Sequence, residues 1–440
     1  MQAEGPELDR GVPVLMVKVG RYPDAYGAYG AVRSLGRAGV PVYAMVEDAL
    51  TPTALSRYVR RAFVRPTGAG EPAGALVAAV LAAGRAIGRR AVAVPTDDEA
   101  AVLLAEHRSE LAGHFLLPPV PADLPRRLAD KGGLYELCRA HGVTTPRAAT
   151  PADRSELLAT ARDWGYPVVL KNLAPFTRQV NPAVSHTTIV PDEPALLAAC
   201  PSDGPLSVLL QEYVPQSCAE DWITHLCCGP GGRPLVVFTG VKDRSWPPES
   251  GVTTRGHTRP NPELAALAAD FCEAIGYCGS ADLDWRLDRR DGRYKLLDFN
   301  PRNGAQFRLF ETVDGVDVVR ALHLWLTGRP VPAGPQRPRR FRAGRLDTYS
   351  AVAGAWQDRC RPWGLWPEPR TEHAWFAADD PAPAVAALLR FGVPAPFRMV
   401  RSALSPCQRR GTTGDRRTAR RSVNTGRTGA DPTPVGGRET

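Results

Sequence analysis

Asp282, Asp284, Asp298 and Asn300 are the residues of this chain best spaced to do chemistry together. They sit in two short runs, Asp282-Leu283-Asp284-Trp285 and Tyr294-Lys295-Leu296-Leu297-Asp298-Phe299-Asn300-Pro301-Arg302, in which polar and apolar residues alternate as in half-buried strands. Between them Asp288-Arg289-Arg290-Asp291-Gly292-Arg293 is polar and contains an Asp-Gly step, which suits a hairpin loop. Pairing Leu283 with Phe299 and Trp285 with Leu297 keeps the apolar face together. That register sets Asp284 opposite Asp298 and Asp282 opposite Asn300. Facing carboxylates repel and raise each other's pKa unless a cation lies between them. Hard oxygen ligands at this spacing suit Mg²⁺, with water and phosphate completing its shell. An ordinary hairpin with a solvated acidic face accounts for the same residues without a metal.

Two lysines are candidates for the anion that such a metal would accompany. Lys171 ends the buried-strand pattern Tyr166-Pro167-Val168-Val169-Leu170, where an ammonium is costly unless it meets an anion such as phosphate. Lys131 opens a helix in Asp130-Lys131-Gly132-Gly133 and by itself reads as solvent-exposed. Val208 to Val214 is a strand stopped by Pro215, and Glu220-Asp221-Trp222 opens another.

The elements that must carry these residues begin with an α/β pattern. Val12 to Val19 and Val40 to Val46 are strand-like, Ala31 to Ala38 is helical, and Ala91 to Pro95 leads into Thr96-Asp97-Asp98-Glu99, a capped helix start. A parallel sheet follows, with ligand-facing loops at the carboxyl ends of its strands, here Gly20 to Asp24 and Thr96 to Glu99. Gly27-Ala28-Tyr29-Gly30 is not a dinucleotide fingerprint. Leu117-Pro118-Pro119-Val120-Pro121 reads as a stiff linker. Val313 to Leu326 is an amphipathic helix, and Val352 to Phe391 is a Trp-rich region whose Trp356, Trp363, Trp366 and Trp375 suit packing of an add-on against the main body.

Composition narrows the function classes. The 440 residues are 43% hydrophobic and 23% charged, ordinary for a globular protein of two or three domains. There is no bilayer-spanning apolar run and no signal-peptide pattern at Met1 to Gly5, so a cytoplasmic protein is expected. Nine scattered cysteines without a Cys-x-x-Cys pair indicate neither a zinc cage nor a disulfide framework. The net charge of +9 is concentrated at one end: residues 401–440 carry nine arginines against three acids, leaving +3 for the other 400 residues. That tail has the composition of a disordered segment, and the folded core has no basic excess suited to nucleic acid.

The order of these parts resembles the ATP-grasp superfamily, in its carboxylate–amine ligase branch, with D-aspartate-ligase-like flavour and kinship to carbamoyl-phosphate-synthase large chains. The resemblance covers roughly residues 12 to 330 by motif order. It implies an N-terminal parallel α/β pre-ATP-grasp domain (1–118) and a two-lobed ATP-grasp domain with antiparallel sheets (119–330, hinge near 212–215). A Trp/Pro-rich accessory region (331–400) and a disordered basic tail (401–440) complete the organisation.

It implies that Lys131 and Lys171 hold the ATP phosphates and that Glu212, Tyr213 and Val214 read the adenine. Glu220 would bind the ribose, with Asp221 its competitor. The metal ligands would be Asp284, Asp298 and Asn300, serving Mg²⁺ with Mn²⁺ as a substitute. Arg302 and Lys242 would stand near an acyl phosphate, Lys242 within the cation-rich loop that includes Arg244, Arg255 and Arg259, and Arg308 would clamp a substrate carboxylate. The implied activity joins a small carboxylate to an amine, amino acid or peptide-like, with release of ADP and phosphate, in a protein that can be a homodimer. The chain departs from many members in having no glycine between Asn172 and Thr187, where Arg178, Ser185 and His186 could take over phosphate contact. Alternatives within the resemblance are a noncatalytic ATP-binding regulatory module and a carboxylase or carbamoyl-phosphate-type enzyme.

Overall fold

Valine- and alanine-rich runs build the first sheet. The computed structural model describes residues 5–392 apart from 21, 23–25, 67–69, 178–183, 185–186, 201–205 and 358–367. Strands β1 (Val14–Val17), β2 (Val42–Val46), β3 (Val59–Val64), β4 (Ala91–Pro95) and β5 (Phe115–Leu116) lie parallel in the order β3-β2-β1-β4-β5. β1 and β2 are buried on both faces, as strands covered by helices on each side must be. Alternation divides β1 between two cores: Val14 and Met16 pack with Val32, Phe307 and Val318, and Leu15 and Val17 with Val77, Val80 and Leu103. The sheet therefore shares one of its cores with residues some three hundred positions away.

The second sheet is small and antiparallel. Its strands β6 (Ala148–Ala149), β7 (Val168–Asn172), β8 (Thr188–Val190) and β9 (Val208–Glu212) run in the order β6-β9-β7-β8 over a core of Leu157, Leu170, Val190 and Leu210.

The third sheet carries most of the candidate site. β10 (Ala219–Cys228), β11 (Pro234–Trp246), β12 (Val252–Thr258), β13 (Gly279–Asp288), β14 (Arg293–Asn300), β15 (Arg340–Arg342) and β16 (Thr371–His373) are ordered β14-β13-β10-β11-β12-β15-β16, antiparallel except at β15–β16. Its inner face buries Trp222, Leu283, Trp285 and Phe299 against Phe271 of the helix Pro262–Ala274. Removing a side chain such as Leu283 or Phe299 from water contributes about 2–3 kcal/mol.

The hairpin β13–β14 has Leu283 opposite Phe299, Asp284 opposite Asp298 and Asp282 opposite Asn300. The expected pairing of Trp285 with Leu297 is corrected: Trp285 faces Leu296, because a bulge after Asp284 leaves Leu297 as the extra residue. The helix expected from Val313 begins only at Val318. Asp317 caps it by accepting from the Val319 and Arg320 amides, and Gly315, at φ +81°, turns the chain just before.

The described residues form one compact unit. β15 and β16 extend the large sheet, and Trp375 stacks on Tyr29 with ring centroids 5.7 Å apart. Trp363, Trp366, the Trp356 side chain and the 401–440 tail lie outside the described residues. Among the described residues no helix is long and apolar enough to cross a membrane.

Candidate active site

A cleft of about 730 Å³ opens between the small sheet and the large one. The small-sheet side contributes Lys171, Gln211 and the hinge Glu212-Tyr213-Val214; the large sheet contributes Asp221, Lys242, Asp284, Arg286, Leu297 and Asp298.

Three lysines from three elements meet the facing carboxylates. Lys131 Nζ stands 2.6 Å and Lys171 Nζ 3.8 Å from Asp298 Oδ1, and Lys242 Nζ lies 3.4 Å from Asp284 Oδ1. Lys171 Nζ also donates to the Leu297 carbonyl at 3.0 Å, a group turned to the cleft side by the bulge. The two phosphate-side lysines are linked through their backbones. Asp130 caps the helix Lys131–Ala140 by accepting from Gly133 N, and Lys131 N donates to the carbonyl of Leu173, two residues beyond Lys171.

The titration behaviour follows this geometry. Burial raises the pKa of Asp298, but Lys131 and Lys171 outweigh it and hold the carboxyl at about 2. Burial and the neighbouring Lys131 charge lower Lys171. Burial pushes Asp284 up, and the charges of Asp282 and Asp298 reinforce it against Lys242. The opposed acids thus repel each other and draw cations, the expected behaviour of an oxygen-ligand pair. Among the described residues no three His, Cys, Asp or Glu side chains gather to hold a metal. The candidate set is two carboxylates and one amide. Asn300 points its Nδ2 to the carbonyl of Asp282 at 3.2 Å, and its Oδ1 accepts from Arg302 Nη2 at 3.1 Å.

Arg302 reaches past this set to the first sheet, with Nε 2.9 Å from Asp98 Oδ1. Asp98 opens the helix Asp98–Glu106, whose cap Asp97 also accepts from the Val19 and Gly20 amides at 2.9 and 3.0 Å. The two loops expected at the ends of β1 and β4 are therefore joined through one buried carboxylate. Beside it Glu99 accepts from Tyr22 Oη at 2.9 Å, and burial together with Asp97 raises its pKa to about 8.

At the hinge, Glu212 pairs with Arg290 at 2.7 Å, and Tyr213 Oη donates to Glu249 at 2.6 Å. The Val214 carbonyl accepts from Arg286 Nη1 at 3.0 Å. Glu249, Ser250 and Gly251, at the tip of the β11–β12 hairpin, line the same cleft.

Two expected site residues lie elsewhere. Glu220 is on the far side of β10, paired with Arg259 at 3.0 Å, whereas Asp221 faces the cleft and clasps Arg286 at 2.6 and 2.9 Å. Strand alternation decides between the two acids. Arg308 is corrected more fully: it is 6% exposed and held by Asp317 at 2.8 Å, Glu311 at 3.3 Å and Glu372 at 3.5 Å, so its charge is already met by protein carboxylates. Of the loop cations, Arg244 binds Asp347 and Arg255 binds Glu368. Arg178, Ser185 and His186 lie outside the described residues. Asp98 lies in the Thr96 to Glu99 loop expected to face a ligand, but its pairing with Arg302 was not foreseen, and Glu249 and Arg286 were given no role. Arg286 carried a signal, through its alternation with Asp284.

No family model matches the chain. The D-aspartate ligase of Enterococcus faecium is 24% identical over 310 residues, covering 66% of this chain and 72% of that protein. In fold, the chain is similar to N5-carboxyaminoimidazole synthetase from Staphylococcus aureus (TM-score 0.57, 11% identity, 81% of this chain and 88% of that one). It is also similar to the biotin carboxylase domain of Hydrogenobacter thermophilus 2-oxoglutarate carboxylase, solved with MgADP and bicarbonate (TM-score 0.52, 15% identity, 73% and 71%).

Proposed function

We propose that this chain, whose fold is the ATP-grasp fold, is an ATP- and Mg²⁺-dependent ligase that activates a carboxylate as an acyl phosphate and joins it to an amine. The observation that carries the reading is the meeting of Lys131, Lys171 and Lys242 on the opposed Asp284 and Asp298, in a cleft bordered by the 212–214 hinge. The similarity to a D-aspartate ligase supports the carboxylate–amine class.

In this reading Lys131 and Lys171 exchange Asp298 for the triphosphate, and the backbone of residues 212–214 meets the adenine. Asp221, on the cleft side of β10, takes the ribose. Asp284, Asp298 and the amide oxygen of Asn300 suit Mg²⁺ as hard donors; when bound, the ion would neutralise phosphoryl charge. A substrate carboxylate oxygen bonds to the γ-phosphorus while the bond to the bridging oxygen breaks and ADP leaves. The amine nitrogen then attacks the acyl carbon, phosphate departs, and the nitrogen gives up a proton. Lys242 and Arg302 hold the charge that builds on the acyl phosphate and on the tetrahedral oxyanion, and their fixed positions supply the catalysis. Glu212, Tyr213 and Val214 keep the nucleotide in register with them.

A domain division at about residues 118 and 330, a homodimeric state and a cytoplasmic setting with reduced cysteines accord with this activity. The test is ADP release by purified protein with Mg²⁺-ATP across amino acids and carboxylate/amine pairs, D-aspartate first. Bicarbonate is included because one structural neighbour was solved with it. Stimulation by one acid only when an amine is present supports a ligase, stimulation by bicarbonate favours the carboxylase alternative, and no stimulation by any pair sinks both.

A further inference from the structure

We propose that His225 is a positioning residue for the metal-binding amide of Asn300, acting through Asp282; this rests on the assignment of Asn300 as a ligand. His225 lies on β10 directly opposite Asp282 of β13, and Asp282 lies opposite Asn300 of β14, so the three residues form one row across adjacent strands. The imidazole is fully buried, 4.7 Å from the Phe310 ring between centroids, and its Nε2 stands 2.7 Å from Asp282 Oδ1. Among the described residues its Nδ1 has no hydrogen-bond partner, and the carboxylate beside Nε2 can only accept, so Nε2 carries the proton donated to Asp282. Gln306 Nε2 donates to the same carboxylate oxygen at 3.3 Å. The other face of Asp282 receives the Asn300 amide: Nδ2 reaches the main-chain carbonyl at 3.2 Å and Oδ2 at 3.4 Å.

An amide offers a lone pair at one end and hydrogens at the other, and only the first end can bind a cation. By accepting from Nδ2, Asp282 turns Asn300 Oδ1 outward, where Arg302 now touches it. A buried carboxylate is costly unless it is paired, and Asp282 is 4% exposed. His225 and Gln306 meet that cost and fix its plane. The backbone is pressed onto the pair as well: a Cβ on Gly304 would collide with Asp282 Oδ2 and stand 2.7 Å from His225 Nε2. This row supplies the outer-shell partners that orient a metal ligand.

The test measures Mn²⁺ binding to the full-length protein with ADP, by the resonance signal of free Mn²⁺, alongside ADP binding in EDTA and thermal unfolding. His225→Leu is expected to weaken Mn²⁺ about 10–100-fold, the usual cost of losing an outer-shell partner, with ADP binding in EDTA unchanged. His225→Gln keeps an N–H within reach of Asp282 and is expected to restore binding nearly to that of the parent. Asn300→Ala separates the two layers of the argument. If it loses Mn²⁺ while His225→Leu binds normally, the positioning role is overturned; if it also binds normally, the ligand assignment falls, and this proposal with it. Should His225→Leu fail to fold, Gln306→Leu, which removes one of the two donors, is expected to weaken Mn²⁺ severalfold, and unchanged binding there overturns the proposal.

Discussion

Replacing Asp298 by Asn removes one of the two carboxylates that neutralise Lys131, Lys171 and Lys242. The carboxyl titrates at about 2 in the folded protein against 3.8 ordinarily. A tenfold change in proton affinity corresponds to about 1.4 kcal/mol, so the ion pairs stabilise the fold by about 1–2 kcal/mol after allowing for solvent in the cleft. Because the folded pKa is depressed, that stabilisation is fully present above pH 3.8 and disappears as pH falls toward 2. At pH 7 the variant loses all of it. In metal-free buffer Asp298→Asn should therefore unfold a few degrees below the parent by differential scanning calorimetry. Metal-free ADP, which brings anionic oxygens to the same lysines, should stabilise the variant at least as much as the parent, whereas Mg²⁺ added with ADP should help it less. A metal-free variant that melts at or above the parent temperature would refute the claim that Asp298 holds the lysines together.

Three further outcomes are expected. Asp221→Ala should raise the ATP KM about tenfold, worth about 1.4 kcal/mol of binding, and Glu220→Ala should leave it unchanged in ADP-release kinetics, because only Asp221 faces the cleft. Arg308→Met should cost about 3 kcal/mol in denaturant unfolding, because it removes the cation paired with Asp317, which then keeps only neutral donors in Ser34 and the Val319 and Arg320 amides, while Glu311 keeps Arg339; substrate KM values should stay put, and a large KM rise in a protein of undiminished stability would restore the carboxylate clamp. The raised pKa of Glu99, about 8, means the folded state favours its neutral form, so stability falls as pH rises from 4.5 toward 8. Glu99→Gln should flatten that loss, read as a smaller drop in melting temperature between about pH 5.5 and about pH 8.5.

The β13–β14 register was legible because polarity alternates through Leu283, Asp284, Phe299 and Asn300, and only one pairing keeps the apolar members together. The bulge was not, since Leu296 and Leu297 are the same residue and polarity cannot say which of them faces Trp285. Glu220 and Asp221 posed a similar ambiguity of phase. Trp222, buried on the side of Glu220, was the clue that could have resolved it. The parallel first sheet was readable from its continuous apolar runs. The partner of Arg302 was not, because Asp98 is distant in sequence and local pattern carries no trace of it; Glu311 and Asp317 are near Arg308 in sequence, but no local pattern shows that all three are buried together.

The extra residue at Leu297 has a mechanical consequence. Toward the Asn300 end of the bulge, Leu283 and Phe299 lock the strands; toward the turn, Trp285 and Leu296 lock them again with the phase shifted by one. The bulge therefore works as a gear change: the acids mesh on one side of it, the pairs Arg286 with Lys295 and Leu287 with Tyr294 mesh on the other one tooth out of step, and the skipped Leu297 gives its carbonyl to Lys171.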